Sequence, residues 1–146
     1  MTSTSSQSAD EPPWMIFGET SRVRFIEPYF CHWVLGRALK EDELSAAMRE
    51  IQKFAAAHPT TLVLCNLSEL SGMSPQLRKT ARENSRDIET SAVAFVGASF
   101  QAQVTMTLLI KAVRFFKGKK PMPFVFVSSE DEGFRFLEKQ AEELKR

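Results

Sequence analysis

Three uninterrupted apolar runs constrain this chain most: TLVLCNL at Thr61–Leu67, SAVAFVGA at Ser91–Ala98 and PFVFVSS at Pro123–Ser129. A strand with one wet face alternates apolar and polar residues. A run that is apolar on both faces suits a strand covered on both sides, the setting of a parallel sheet flanked by helices. Stretches of helical periodicity separate these runs. In KEDELSAAMREIQKFAAAH, Lys40–His58, the residues Leu44, Ala47, Met48, Ile51, Phe54 and Ala55 recur at three and four, which makes one apolar stripe. Glu41, Asp42 and Glu43 stand where the helix dipole favours negative charge, and Pro59 closes the segment. A second helix is predicted from about Pro75 to Ile88, with a thin apolar face of Leu77, Ala81 and Ile88. A third follows in SFQAQVTMTLLIKAVRFFKG, where Gly118 is a natural stop. The last opens with Ser129 and Glu132 at capping-box spacing and carries Phe134, Leu137, Ala141 and Leu144 on its core face.

Ahead of the first helix lie WMIFGE, RVRFIEP and YFCHWVLG. Arg22 and Arg24 alternate with Val23 and Phe25, which predicts a half-exposed edge strand. Pro28 breaks it, and the aromatic-rich Tyr29–Gly36 segment is expected as its more buried antiparallel neighbour. The fold class is therefore α/β: an opening antiparallel β segment, then four β-α units forming a mainly parallel sheet with packed helices and right-handed crossovers. The polar lead-in over residues 1–13, MTSTSSQSADEPP, reads as a disordered tail, and residues 14–146 as a single domain.

A formal net charge of +1 gives no bulk electrostatic case for nucleic acid or for an anionic membrane surface. The lead-in lacks the basic and apolar regions of a secretory signal, and no run approaches the roughly 18 apolar residues of a membrane span, so a cytoplasmic setting is expected. Neither phosphate-binding glycine motif occurs, and KGKKP falls at a helix C-terminus, which favours cations without cradling phosphate. Cys31 and His32 are adjacent on a strand and point to opposite faces, and no C-x-x-C or H-x-x-x-H spacing occurs. No metal, cofactor or catalytic residue is expected. A thiol nucleophile would require Cys65 and His32 to meet across neighbouring strands. Both cysteines lie in apolar runs of the kind that bury them as small hydrophobes.

Two surfaces remain as candidates. The helix from Phe100 carries more apolar side chains than one buried stripe needs: Phe100, Val104, Met106, Leu108, Leu109 and Val113 are candidates for an apolar interface or pocket. An enclosed cavity beneath Val104, Leu108 and Val113 would point to an apolar ligand. A flat packed core with an exposed patch would point to a protein partner or a homodimer. At the start of the second helix, Ser74, Pro75, Gln76, Arg78, Lys79 and Arg82 are candidates for contact with a partner or an anion. Arg86 extends the stripe of Arg78 and Arg82.

GRALKEDEL, LVLCNLSELSGMSPQL and FVFVSSEDEGFRFL, in this order and spacing, resemble the STAS superfamily of sulfate transporters and anti-sigma-factor antagonists. The likeness is closer to its diverged SpoIIAA-like branch and spans about Phe17 to Leu137. It implies a bacterial, non-enzymatic regulatory or protein-interaction module. In the antagonists a serine at this helix start is phosphorylated. Laid without gaps from Asn66–Leu67, that position holds Pro75, with Ser74 at the preceding acidic position and Gln76 and Leu77 after it. The resemblance thus implies such a module without the phosphoserine switch. Related lipid-carrying folds imply the alternative, a small apolar-ligand or lipid-binding domain. On the residues alone, Ser74 reads as an N-cap and Pro75 as the first helical residue.

Overall fold

The computed structural model describes residues 12–70, 72–85, 88–118 and 122–145. Most of the expected N-terminal tail (residues 1–11), together with Arg86, Lys119 and Lys120, lies outside the described residues. The strands are β1 (Met15–Phe17), β2 (Ser21–Ile26), β3 (Phe30–Val34), β4 (Leu62–Asn66), β5 (Ala92–Val96) and β6 (Phe124–Val127). The helices are α1 (Glu41–Ala57), α2 (Pro75–Ser85), α3 (Phe100–Phe116) and α4 (Glu130–Leu144). The expected α/β order, an antiparallel opening followed by four β-α units, is present among the described residues.

One six-stranded sheet runs in the order β1-β2-β3-β4-β5-β6. The first two pairings are antiparallel and the remaining three parallel. β2 was expected at the edge, but Met15–Phe17 turns through Gly18 and pairs with Ser21–Val23, so β1 is the edge. Three apolar residues were enough for that pairing because the turn brings them back at once.

The sequential strand order decides where the helices go. Each step from β3 to β6 moves the same way across the sheet between parallel strands. Right-handed crossovers then place α1, α2 and α3 on one face. The packing agrees: Leu44, Met48 and Ile51 of α1, Leu77 and Ala81 of α2 and Met106 of α3 share a cluster with Val23, Cys31, Val63, Cys65 and Phe95. α4 follows the last strand and returns on the other face, where Leu137 and Ala141 pack on Leu62, Leu64, Ala92, Ala94 and Val96. Gly133 lets α4 lie flush, since a Cβ there would meet Leu64 Cδ1 at 2.6 Å.

Local signals set the helix ends. The Glu43 carboxylate accepts from the Lys40 backbone N–H at 2.9 Å. Ser99 and Ser129 cap α3 and α4 by accepting from the Ala102 and Glu132 N–H groups at 3.1 and 3.2 Å. Burial of the α1 stripe, at about 1.5–3 kcal/mol per large apolar side chain, stabilises that helix more than intrinsic propensity does.

Candidate functional site

The surplus apolar residues of α3 divide between two sides of the helix. At 3.6 residues per turn, Phe100, Val104, Leu108, Lys111 and Phe115 fall within one narrow arc, while Met106, Leu109, Ile110 and Val113 fall on the opposite side. The outer set stands in solvent: Phe100 is 82%, Val104 43%, Leu108 63% and Phe115 78% exposed. The inner set faces a cavity of about 150 Å³ between α3 and the sheet. The six residues expected to form one interface or pocket therefore split. Phe100, Val104 and Leu108 form an outer ridge, and Met106, Leu109 and Val113 form a cavity wall.

The rest of the wall comes from every element on that face of the sheet. α1 supplies Leu44, Met48 and Ile51; the strands supply Trp33, Val63, Cys65, Val93 and Phe95. Trp33, Cys65, Phe95 and Phe126 stand in one register row, and the first three of them line the cavity. Half-exposed Ser85, Ile88, Thr90 and Arg114 edge the cavity at one end. Their polar groups are engaged locally in part: Ser85 Oγ donates to the Ala81 carbonyl, and Thr90 Oγ1 to Met122 Sδ at 2.9 Å. Trp33 Nε1 is buried with no acceptor among the described residues. A buried orphan donor costs about 1–3 kcal/mol, which an oxygen acceptor reaching it would offset.

This wall does not hold a thiol nucleophile. Burial pushes both the Cys31 and the Cys65 thiols well above the usual cysteine range, so neither ionises near neutrality. Cys65 sits on the α1–α3 face and His32 on the α4 face, so the two do not pair.

His32 belongs instead to a polar network across the α4 face. Its Nε2 lies 2.8 Å from Glu130 Oε2, and Arg24 Nε donates to its Nδ1 at 3.2 Å. The Arg24 N–H can only donate, so Nδ1 accepts, Nε2 carries the proton and the ring is neutral. Asn66 Nδ2 donates to the same Glu130 oxygen at 2.8 Å, and Asn66 Oδ1 accepts from the Ser68 N–H at 2.9 Å, which fixes the amide orientation. Trp14 covers the network: its ring lies 4.9 Å from His32, and the Arg24 guanidinium stacks 4.4 Å from it. Burial lowers the His32 pKa; Glu130 opposes this, Arg24 and Arg22 reinforce it, and the net direction is down. Burial raises the Glu130 carboxyl, but hydrogen bonds from His32 and Asn66 outweigh it and hold the group below the usual carboxylate range. His32 is only 3% exposed and both ring nitrogens are engaged, so the network clasps β2 and β3 to α4 and offers no open acid or base.

At the start of α2, Ser74 Oγ accepts from the Leu77 N–H at 3.1 Å, the expected cap over Pro75. Ser74 and Gln76 share a shallow groove with Glu41 and Asp42 of α1, so the anion-contact candidates stand beside two carboxylates. Arg78 turns back to donate to the Met73 carbonyl at 2.9 Å. Lys79 and Arg82 are exposed further along the helix.

No family model matches this chain, and neither a curated protein nor a solved structure matches it.

Proposed function

We propose that this chain is a binding domain without catalysis of its own, and that it holds a small apolar ligand in the cavity beneath α3. The observation that carries the reading is the cavity itself, about 150 Å³ and walled almost wholly by aliphatic, aromatic and sulfur side chains. An engineered, enclosed apolar cavity of about that size in another protein stays dry and takes up benzene; the cavity here is half-open. The fitting ligands are therefore a single aromatic ring or a short aliphatic chain, with an oxygen acceptor for Trp33 favoured. The engaged state of His32 and the raised thiols support a non-catalytic role. A partner-binding role of the kind the STAS resemblance implies would fall to the outer ridge of α3.

The experiment is a titration with benzene, indole and hexanoate, followed by Trp33 fluorescence in a Trp14→Phe background and by thermal melting. A fitting ligand at a hundredfold excess over its Kd adds about 2.7 kcal/mol of stability. Ala81→Leu, which places a larger side chain in the cavity wall, should abolish both signals. Flat titrations with all three probes, or signals that Ala81→Leu leaves intact, would overturn the reading.

A further inference from the structure

The net charge of the chain conceals a strong asymmetry. From Thr90 to Ser129 there is no Asp or Glu, while Lys111, Arg114, Lys117, Lys119 and Lys120 all fall in that stretch. Because the whole chain is only +1, the remainder is net negative. The cationic stretch is the one that contains α3. On the described part of that helix, exposed Lys111 lies within the outer apolar arc, while exposed Lys117, just beyond the C-terminal end, falls outside that arc. Phe100, Val104, Leu108 and Phe115 make up the rest of the ridge.

We infer that the outer ridge of α3 seats the protein on an anionic lipid bilayer. The outer face of this helix presents four large apolar side chains with one lysine and no acid, and such a face suits the plane of the bilayer interface. Apolar side chains enter the acyl boundary, and lysine stems lie along it with their ammonium groups at the phosphates. The 17 residues of α3 span about 25 Å, and the ridge runs from Phe100 near one end to Phe115 near the other. A bilayer supplies apolar and anionic surface along that whole length. In a symmetric contact a second copy would bring the same helix, with the same cations and no carboxylate, so charge complementarity favours lipid over that pairing. Among the described residues no helix is long and apolar enough to cross a membrane, and the contact inferred is a peripheral one.

The test is flotation of the full chain with vesicles of phosphatidylcholine containing phosphatidylglycerol, against phosphatidylcholine alone. The protein should float with the anionic vesicles, fail to float with the neutral ones, and be released as salt shortens the electrostatic range. Leu108→Glu should abolish flotation. Lys111→Gln should weaken partitioning about fivefold, the factor equivalent to roughly 1 kcal/mol per basic residue near an anionic surface, and Lys117→Gln by less. These positions are exposed, and unchanged melting curves would show that the variants fold. Protein left unbound by anionic vesicles overturns the inference, as does flotation indifferent to Leu108→Glu. A concentration-dependent dimer that Leu108→Glu dissolves, without vesicle binding, would assign the ridge to a second copy instead. The inference does not rest on the cavity: Ala81→Leu should float like the unmodified chain, so the two readings fail separately.

Discussion

The imidazole of His32 and the carboxylate of Glu130, 98 positions apart in the chain, meet at 2.8 Å and tie the middle of β3 to the first residue of α4. Arg24 on the other ring nitrogen makes this a bond of neutral histidine. A second proton on Nδ1 would displace Arg24 and place two cations side by side under Trp14.

Acid should therefore weaken the fold in two stages. The His32 pKa is lowered on folding, so the unfolded chain takes up the proton first as pH drops through the ordinary imidazole value near 6.5. Stability from this group is full above that value and declines below it. Glu130 is also lowered, so its contribution is present above the ordinary carboxylate value and is lost as pH falls through the depressed one. Urea unfolding at about pH 8, 6 and 5 should show declining midpoints, and His32→Gln should flatten the upper stage. An unchanged slope in His32→Gln would remove His32 as its source.

Glu130→Ala and Glu130→Gln should separate hydrogen bonding from charge. The single oxygen Oε2 accepts from both His32 and Asn66. Alanine leaves both donors unpaired and should cost about 1–3 kcal/mol, while the glutamine oxygen can still accept both and should cost less. Equal losses by chemical denaturation would show that the charge, and not the shared acceptor, matters.

Ser74→Ala removes the acceptor for the Leu77 N–H and should cost about 1 kcal/mol. Ser74→Asp should restore the cap. A melting temperature indifferent to both changes would mean that the hydroxyl contributes nothing to α2.

Ala81→Leu should raise stability by about 0.5–2 kcal/mol by occupying part of the cavity. A larger residue at a tightly packed position would instead cost about 1–3 kcal/mol, so the sign of the change in melting temperature reports whether the space is real.

The apolar runs around Leu62–Asn66 and Ala92–Val96 made the covered parallel strands readable in advance, because burial on both faces leaves no room for alternation; Phe124–Val127 reads the same way but is an edge strand, half-buried throughout. The caps at Ser74 and Ser129 involve neighbours three positions apart, and such local chemistry is visible in sequence; the equivalent cap at Ser99 emerged only with the structure. The clasp was not visible. His32 was weighed with Cys65, its neighbour in the run of strands, whereas its partners come from β2 and from the far end of the chain. The alternation of Arg22 and Arg24 marked a polar face without saying what Arg24 would hold. For α3, composition showed too much apolar surface, and only the placement of the helix divided Phe100, Val104 and Leu108 from Met106, Leu109 and Val113. Net charge averaged away the acid-free stretch that contains α3.

α3 is at once a wall of a half-open apolar cavity and the bearer of an exposed apolar ridge. A ligand below and a surface above would touch the same helix from its two sides. If seating one shifted the helix for the other, their free energies of binding would be coupled, and each would change the other's affinity by the same factor. One helix with two apolar sides would then let the contents of the cavity be sensed on the outside of the protein.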